Sequence, residues 1–378
     1  MSGKYIGPLT AMRGLAALWV MLFHIDVSLF FRDMGALVSR DATGIISKGY
    51  LWVDFFFILS GFIIAYVYAE ALASPEKGRA RRILDYLWAR FARLYPLHLL
   101  CLGLVVIIAL TYPLCLPDVK DGSWQTFMAW RAIPSNLLMT HAMNQHVYLS
   151  WDIVSWSIGA EWWTYFAALP LLLVLPRLPG PLTALLAVAA FAGLAGYVLI
   201  QKDAILDITY KWGFVRCLLE FIIGAALWRL WCLKTVGWLG HDLILLGALA
   251  AVTIVFHFKS FVPGGDLVVV PLFALMVYGL AVSQGLVTKV LNSAVPQYLG
   301  RISYALYLVH GVVFSAFWFL MPMVKVHIGD TSASLRWLYA AGFVVVVIAV
   351  SHLVHYAFEK PARLFLLSLR KEKPHGAV

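Results

Sequence analysis

Charged residues are scarce in this sequence. Asp, Glu, Lys and Arg make up 13% of its 378 residues, whereas 62% of the residues are hydrophobic. Soluble proteins carry about twice that charged fraction. The apolar runs are continuous and lack the alternation of an outer-membrane β-barrel. The sequence therefore predicts an all-α polytopic membrane protein, with residues 1–378 forming a single transmembrane domain and no appended soluble domain.

Cysteine is also rare, with four residues and no closely spaced pair. This spacing predicts neither a disulfide framework nor a zinc site. His352 and His355 are spaced like metal ligands, but interfacial packing is the favoured interpretation and no metal site is expected. Acidic residues number 19 against 29 basic ones, which gives a net charge of +10. Topology and anionic lipid account for that excess, so nucleic acid is not an expected partner.

Ten apolar segments are long enough to be candidate membrane spans. They cover approximately residues 9–31, 50–71, 94–112, 153–175, 181–200, 212–232, 241–258, 266–283, 300–323 and 336–358. Lysine and arginine concentrate in the loop 76–93 and in the C-terminal tail, and such residues favour the cytoplasmic side. Both termini are therefore predicted to be cytoplasmic, as an even number of spans requires.

Ionisable side chains inside these spans are the main functional signal, because their burial in hydrocarbon is costly. Arg13 and His24 lie eleven residues apart in the first span. An α-helix places them on nearly the same face, about 16 Å apart along its axis. Ser157 and Glu161, four residues apart, share a face of the fourth span. The alternating direction of the spans places His24 in the outer part of the membrane and Glu161 between the outer surface and mid-depth.

Four further polar residues allow two interpretations. Arg90 and Arg93 share a face at the cytoplasmic end of the third span, where arginine either binds an anion or anchors a helix at the interface. Asp54 and Arg216 lie in the outer parts of two other spans. They either contact a substrate or form a structural ion pair.

The ninth span carries a third polar stripe. Ser303, Tyr307 and His310 share one of its faces. Together with the other stripes they could line a path from the cytoplasmic mouth to an outer chamber. Tyrosines in a span are more often packing residues than catalytic ones, and that alternative stays open for Tyr307.

Six motifs in this sequence resemble those of the acyltransferase 3 family of integral-membrane acyltransferases. In chain order they are MRGLAALWVMLFH, WVDFFFILSGFIIA, RFARLYP, WSIGAEWWTYF, LGRISYALYLVH and FEKPAR. The positions that the family's motifs mark fall here on Arg13, His24, Arg90, Arg93, Ser157 and Glu161. Each motif alone is a modest signal, but six in order over most of the chain are specific.

The resemblance implies transfer of an acyl group, commonly acetyl, from cytoplasmic acyl-coenzyme A to a hydroxyl of a glycan or a similar extracytoplasmic acceptor. It implies a multi-pass protein of a bacterial inner membrane with no permanently bound cofactor. His24 is then the general base or a transient acyl carrier, and Glu161 orients its imidazole or stabilises the charged form of that ring. Arg13, Arg90 and Arg93 hold the donor's phosphates, since guanidinium groups form bidentate bonds to phosphate.

The remaining roles are less defined. Ser157 is grouped with His24 and Glu161 as catalytic, and Asp54, Arg216, Tyr307 and His310 are candidates for substrate binding. The oxyanion stabiliser is not identified from the sequence, although the last three are candidates.

Two other classes of function also fit buried polar groups on ten helices. One is a proton-coupled transporter, and the other is a non-catalytic polysaccharide-export component. Neither accounts for an arginine and a histidine on one face of the first span beside a paired-arginine mouth.

Overall fold

The computed structural model describes residues 5–75, 78–116, 121–258, 263–328 and 332–370, with only the backbone described for 324–328. These ranges are helical and contain no β-strand. The α-helices are α1 (Gly7–Phe31), α2 (Trp52–Ile64), α3 (Glu70–Ala73), α4 (Arg79–Cys115), α5 (Gly122–Phe127), α6 (Ile133–Leu137), α7 (Trp156–Ala167), α8 (Leu169–Val174), α9 (Gly180–Leu199), α10 (Gly213–Leu233), α11 (Asp242–His257), α12 (Val269–Val282), α13 (Leu286–Leu291), α14 (Ala294–Ile328), α15 (Ala333–Val354) and α16 (Lys360–Ser368). The predicted all-α class is confirmed.

Seven helical segments among the described residues are long and apolar enough to cross a membrane. They are Gly7–Phe31, Gly49–Ala73, Arg79–Cys115, Gly180–Leu199, Gly265–Val282, Ala294–Met323 and Ala333–Ser368. The pair Ile153–Ala167 and Leu169–Arg177, bent by 46°, makes an eighth if it is one span. The protein is therefore an integral membrane protein with several spanning helices.

The two other predicted spans also form helices, but these differ in character. Helix α10 carries Arg216, Glu220 and Arg229, and α11 has only 16 residues. The number of ten spans and the cytoplasmic side of both termini stay predictions. The end of the basic tail, residues 371–378, lies outside the described residues.

Glycines bring α1 and α14 into close contact. A Cβ atom on Gly14 would lie 2.5 Å from the backbone nitrogen of Gly300, and one on Gly300 would lie 2.2 Å from the carbonyl oxygen of Thr10. Only glycine permits this approach at both positions, as is common where membrane helices pack. The contact places the polar face of α1, with Arg13 and His24, directly against α14.

A second glycine contact joins α2 to α10. A Cβ atom on Gly61 would lie 2.0 Å from the carbonyl oxygen of Phe221, and one on Gly224 would lie 1.9 Å from that of Ile58. The two backbones therefore touch. Asp54 and Arg216 face each other across the same interface.

Two of the long helical segments contain a π turn. Residues Ala65–Ala69 form one between α2 and α3, and His355–Glu359 form the other between α15 and α16. Single π turns inside α-helices often occur at functional sites. Both of these contribute a side chain to the cavity region described next.

Candidate active site

Helices α1, α2, α4, α7 and α14 enclose a cavity of about 150 Å³, here called the arginine cavity. Its lining includes seven of the polar residues selected from the sequence, namely Arg13, Arg90, Arg93, Ser157, Glu161, Ser303 and Tyr307. Parts of the predicted stripes on separate spans therefore meet in one space, and His24 and His310 are not among its lining residues.

Arg13 is held against α14. Its Nε atom donates to Ser303 Oγ at 2.8 Å, and its Nη2 atom donates to the carbonyl oxygen of Gly300 at 2.9 Å. Both acceptors are neutral, and no carboxylate of the described residues forms a salt bridge with Arg13. The guanidinium keeps its full positive charge and its Nη1 donors remain available to a ligand.

The π turns hold the paired arginines of α4. Arg90 Nη2 donates to the hydroxyl of Tyr68 at 2.7 Å, and the guanidinium lies over the Tyr68 ring at 4.9 Å. Arg93 forms a salt bridge with Glu359, a buried residue of the other turn, and lies over the ring of Tyr304. Arg90 therefore has a neutral partner and Arg93 a charged one. The sequence interpretation missed Tyr68 and Glu359, although Glu359 lies in the FEKPAR motif.

The arginines form one positively charged group. Arg13 and Arg93 are close enough to repel each other, and Arg363 of α16 is repelled by Arg93 and Arg90. Glu359 is the carboxylate that meets this group directly. The end of the arginine cavity that Arg13, Arg90 and Arg93 line, called the arginine end, therefore has a net positive charge and favours an anionic ligand.

Glu161 lies in the middle of the arginine cavity. Its Oε1 atom accepts a hydrogen bond from Ser60 Oγ at 2.5 Å and another from the Tyr165 hydroxyl at 2.6 Å. Neither partner was selected from the sequence, although Tyr165 follows Glu161 by one helical turn. No hydrogen bond joins Glu161 to His24 in the described part of the chain, so the predicted direct orientation of His24 by Glu161 is not the arrangement seen.

Ser157 and Tyr307 form the other end of the arginine cavity. The Ser157 hydroxyl lies 3.1 Å from the carbonyl oxygen of Val154, which can only accept a hydrogen bond, and 2.8 Å from the Tyr307 hydroxyl. Ser157 therefore donates to Val154 and accepts from Tyr307. Both are buried, and the Tyr307 ring packs edge-on against His310 at 5.4 Å.

His24 pairs with His310 of α14. His24 Nδ1 lies 2.9 Å from the carbonyl oxygen of Val20 and 3.3 Å from His310 Nε2, and the two ring centroids are 5.0 Å apart. His310 Nδ1 lies 3.2 Å from the carbonyl oxygen of Leu306. The α1–α14 glycine contact allows this approach.

These contacts define the tautomers of the histidine pair. Carbonyl oxygens only accept, so both Nδ1 atoms must carry the protons. His310 Nε2 is then an acceptor, and His24 Nε2 is left with an unprotonated lone pair. The hydrogen bond made by one ring nitrogen of a histidine determines which nitrogen is free to react. In His24 this bond is made by Nδ1, and the side chain that accepts it is His310.

Asp54 and Arg216 lie outside the arginine cavity. Arg216 donates from Nε to Asp54 Oδ1 at 2.8 Å and from Nη2 to Asp54 Oδ2 at 2.7 Å, and both residues are fully buried. Glu220 Oε1 lies 3.9 Å from Arg216 Nε. The geometry matches the structural ion pair, and neither side chain lines the arginine cavity, so substrate binding by Asp54 and Arg216 stays a prediction.

The histidines with metal-like spacing have other partners. His352 Nδ1 lies 2.9 Å from the Tyr298 hydroxyl, and His355 Nδ1 lies 2.8 Å from Glu359 Oε2. Within the described ranges, no group of three or more His, Cys, Asp or Glu side chains is arranged to bind a metal ion. His355 instead supports the carboxylate that holds Arg93.

These features describe a helical membrane protein with a cationic cavity beside a histidine pair. The chain belongs to the acyltransferase 3 family, because the family's sequence model, described as an acyltransferase domain, matches residues 8–356. Acyltransferase MdmB of Streptomyces mycarofaciens is 27% identical over 389 aligned residues, which cover 95% of this chain and 92% of that protein. No solved structure matches the chain. The resemblance in the six motifs is thus confirmed, and the protein is a membrane acyltransferase.

A second relative is similar to only part of this chain. Protein 2 in the picA locus of Rhizobium radiobacter is 37% identical over 114 residues, which correspond to 30% of this chain and 51% of that protein. This similarity is confined to part of the chain and carries no statement about activity.

Proposed function

We propose that the protein transfers an acyl group, acetyl in the simplest case, from acyl-coenzyme A to a hydroxyl of a glycan or another acceptor. The donor binds from the cytoplasmic side at the arginine end, and the acceptor reaches His24 from the extracytoplasmic side. The observation that carries the proposal is the arginine cavity, which extends from the arginine group to Tyr307, whose ring packs against His310 of the histidine pair.

The donor's charge fits the arginine end. Coenzyme A is a polyanion with a long, thin arm that ends in the thioester. Arg13 and Arg90 have no salt-bridge partner in the described residues, so their charges are available to the phosphates. The arm would follow the arginine cavity toward His24, along a path comparable to the 16 Å between Arg13 and His24 on α1.

Glu161 has a different role in this proposal from the one predicted from the sequence. Its Oε1 atom accepts from Ser60 and Tyr165, while Oε2 can accept an N–H group from an amide of the donor's arm. Glu161 then positions the donor, and His310 positions the His24 imidazole.

The transfer step follows from the tautomer of His24. The acceptor hydroxyl attacks the thioester carbonyl carbon while His24 Nε2 takes its proton. The resulting tetrahedral intermediate then breaks its carbon–sulfur bond, and the leaving sulfur takes the proton back from His24 Nε2. The products are the acyl ester of the acceptor and coenzyme A with a free thiol, and His24 is regenerated. His310 stabilises the imidazolium by accepting from Nδ1.

The test uses purified protein in sealed vesicles that contain the acceptor glycan, with labelled acetyl-coenzyme A on one side. We expect wild type to release coenzyme A and label the glycan, and His24→Ala to lower both rates by about a thousandfold or more. His241→Ala, which changes an exposed histidine away from the arginine cavity, is the matched control. Equal rates for His24→Ala and wild type would contradict the role of His24 in the transfer, and release of coenzyme A by neither protein would contradict the proposed donor.

The histidine pair has its own test. His310→Gln retains an acceptor but loses the imidazole, so we expect a kcat about tenfold lower and an altered pH profile, with the donor KM nearly unchanged. A rise in donor KM with an unchanged kcat would show that His310 does not act through His24.

A further inference from the structure

A second cavity, of about 250 Å³, lies between α1 and α2 beside the arginine cavity. It is lined by Tyr5, Ile6, Leu9, Thr10, Arg13, Leu59, Ile63, Tyr66 and Val67. Three of these residues, Arg13, Leu59 and Ile63, also line the arginine cavity. The two spaces are therefore neighbours and share the walls formed by Arg13, Leu59 and Ile63.

The second cavity lies beyond Arg13 on the side away from His24. The residues of α1 that line it before Arg13 are Leu9 and Thr10, which precede Arg13 by four and three positions, or about 5–6 Å along the helix axis. On α2 and its π turn, the lining continues to Tyr66 and Val67, next to the Tyr68 that holds Arg90. A ligand whose anionic part contacts Arg13 and Arg90 would place one end in the arginine cavity and the opposite end here.

The walls of the second cavity select a particular chemistry. Aliphatic side chains of Leu9, Leu59, Ile63 and Val67 and the tyrosine rings surround it, and its one charged lining residue is Arg13. The Tyr66 ring is fixed by packing against Trp231 at 5.7 Å between centroids. Such walls suit a flat, uncharged aromatic ring that stacks or packs on them and is attached to phosphate.

We propose that the second cavity binds the nucleoside end of a nucleotide-linked acyl donor, with the diphosphate held between Arg13 and Arg90. This inference rests on the proposed function and assigns a binding site to the nucleoside of its donor. An acyl phosphate has no group to fill the second cavity. An acyl group on a carrier protein has the phosphopantetheine arm but no nucleoside.

The experiment compares coenzyme A with 4′-phosphopantetheine, which lacks the nucleotide. Binding of each probe is measured by equilibrium dialysis with the purified full-length protein in phosphatidylethanolamine–phosphatidylglycerol vesicles. Val67→Trp fills the second cavity from a partly exposed position that does not line the arginine cavity. Val188→Trp makes the same change at an exposed site on α9 and is the matched control. Tyr66→Leu removes a ring without adding bulk.

We expect wild type to bind coenzyme A more tightly than 4′-phosphopantetheine. Val67→Trp and Tyr66→Leu should each raise the Kd of coenzyme A by about tenfold, the effect of losing one stacked base. The Kd of 4′-phosphopantetheine should stay the same in all variants, and Val188→Trp should match wild type with both probes.

Three results would overturn the inference. Equal wild-type affinity for the two probes would show that the nucleoside makes no contact, while leaving the proposed acyl transfer intact. An unchanged coenzyme A affinity in Val67→Trp, with loss of a co-purified lipid, would identify the second cavity as a lipid site. Failure of wild type to bind either probe would overturn the coenzyme A assignment of the proposed function as well.

Discussion

Arginines in two regions of this protein, one fully buried and one half-buried, have different partners for their charge. Between α2 and α10, Arg216 forms a bidentate pair with Asp54, and a second carboxylate, Glu220, lies beside it. At the arginine end, the hydrogen bonds of Arg13 and Arg90 within the described ranges go to hydroxyl and carbonyl oxygens. An arginine that a neighbouring helix already neutralises stabilises the fold. An arginine with neutral partners beside a cavity is prepared for an anion from outside.

The strongest test of this contrast is Arg216→Met. The variant leaves Asp54 and Glu220 buried without a cation, and breaking a buried pair in this way costs about 3–5 kcal/mol. We therefore expect little folded protein and a large drop in the unfolding temperature of whatever is recovered. Wild-type thermal stability for Arg216→Met would mean that the pair does not support the fold.

Arg90→Met should weaken ligand binding and leave the fold intact, the opposite of Arg216→Met. Its hydroxyl partner, Tyr68, needs no cation, so the unfolding temperature should change little. The Kd of coenzyme A should rise by about tenfold or more, because a charge-assisted bond to phosphate is lost. A loss of folded protein as severe as that of Arg216→Met would remove the distinction between the two groups.

Glu359→Gln tests the same contrast at Arg93, the arginine of the arginine end that forms a salt bridge within the described residues. The amide can still accept from Arg93, but the negative charge beside the phosphates is gone. We expect coenzyme A to bind about threefold more tightly at low salt, with a smaller gain at high salt. Weaker binding would mean that the charge of Glu359 is needed to hold Arg93 in place.

Glu220→Gln should have the smallest effect. Arg216 already gives two hydrogen bonds to Asp54, and neither carboxylate oxygen of Glu220 has a hydrogen-bond partner among the described residues. An uncharged isostere should therefore change the free energy of unfolding by less than about 1 kcal/mol. Asp54→Asn, which removes the bidentate acceptor, is the contrasting variant and should be several times more destabilising in the same urea titration.

The sequence predicted which faces carry the polar groups, since helical periodicity and burial cost act within one helix. Arg13, Arg90, Arg93, Ser157, Glu161 and Tyr307 therefore appeared as stripes, and the structure brings them to one cavity. Partners across helices depend on rotation and depth, which periodicity does not determine. For this reason Glu161 was paired with His24 from the sequence, while His310 lies there in the structure.

The π turns could not be predicted from the sequence, for a related reason. Nothing in the residues Ala65–Ala69 or His355–Glu359 departs from an ordinary helical pattern. The wider turn changes the direction of every later side chain, so Tyr68 and Glu359 could not be assigned to Arg90 and Arg93 beforehand. Glu359 was nevertheless within a recognised motif, and its charge was a usable signal.

The two π turns also determine where this chain tolerates changes in length. Each turn holds one residue more than an ordinary α-helical turn, so the helix beyond it keeps nearly the direction it would have without that residue. Deleting one residue there would leave the later helix in place and displace chiefly side chains within the turn, which include Tyr68 in the first and Glu359 in the second. Relatives that lose a residue in these turns should therefore keep the helices but lose the contacts to Arg90 and Arg93.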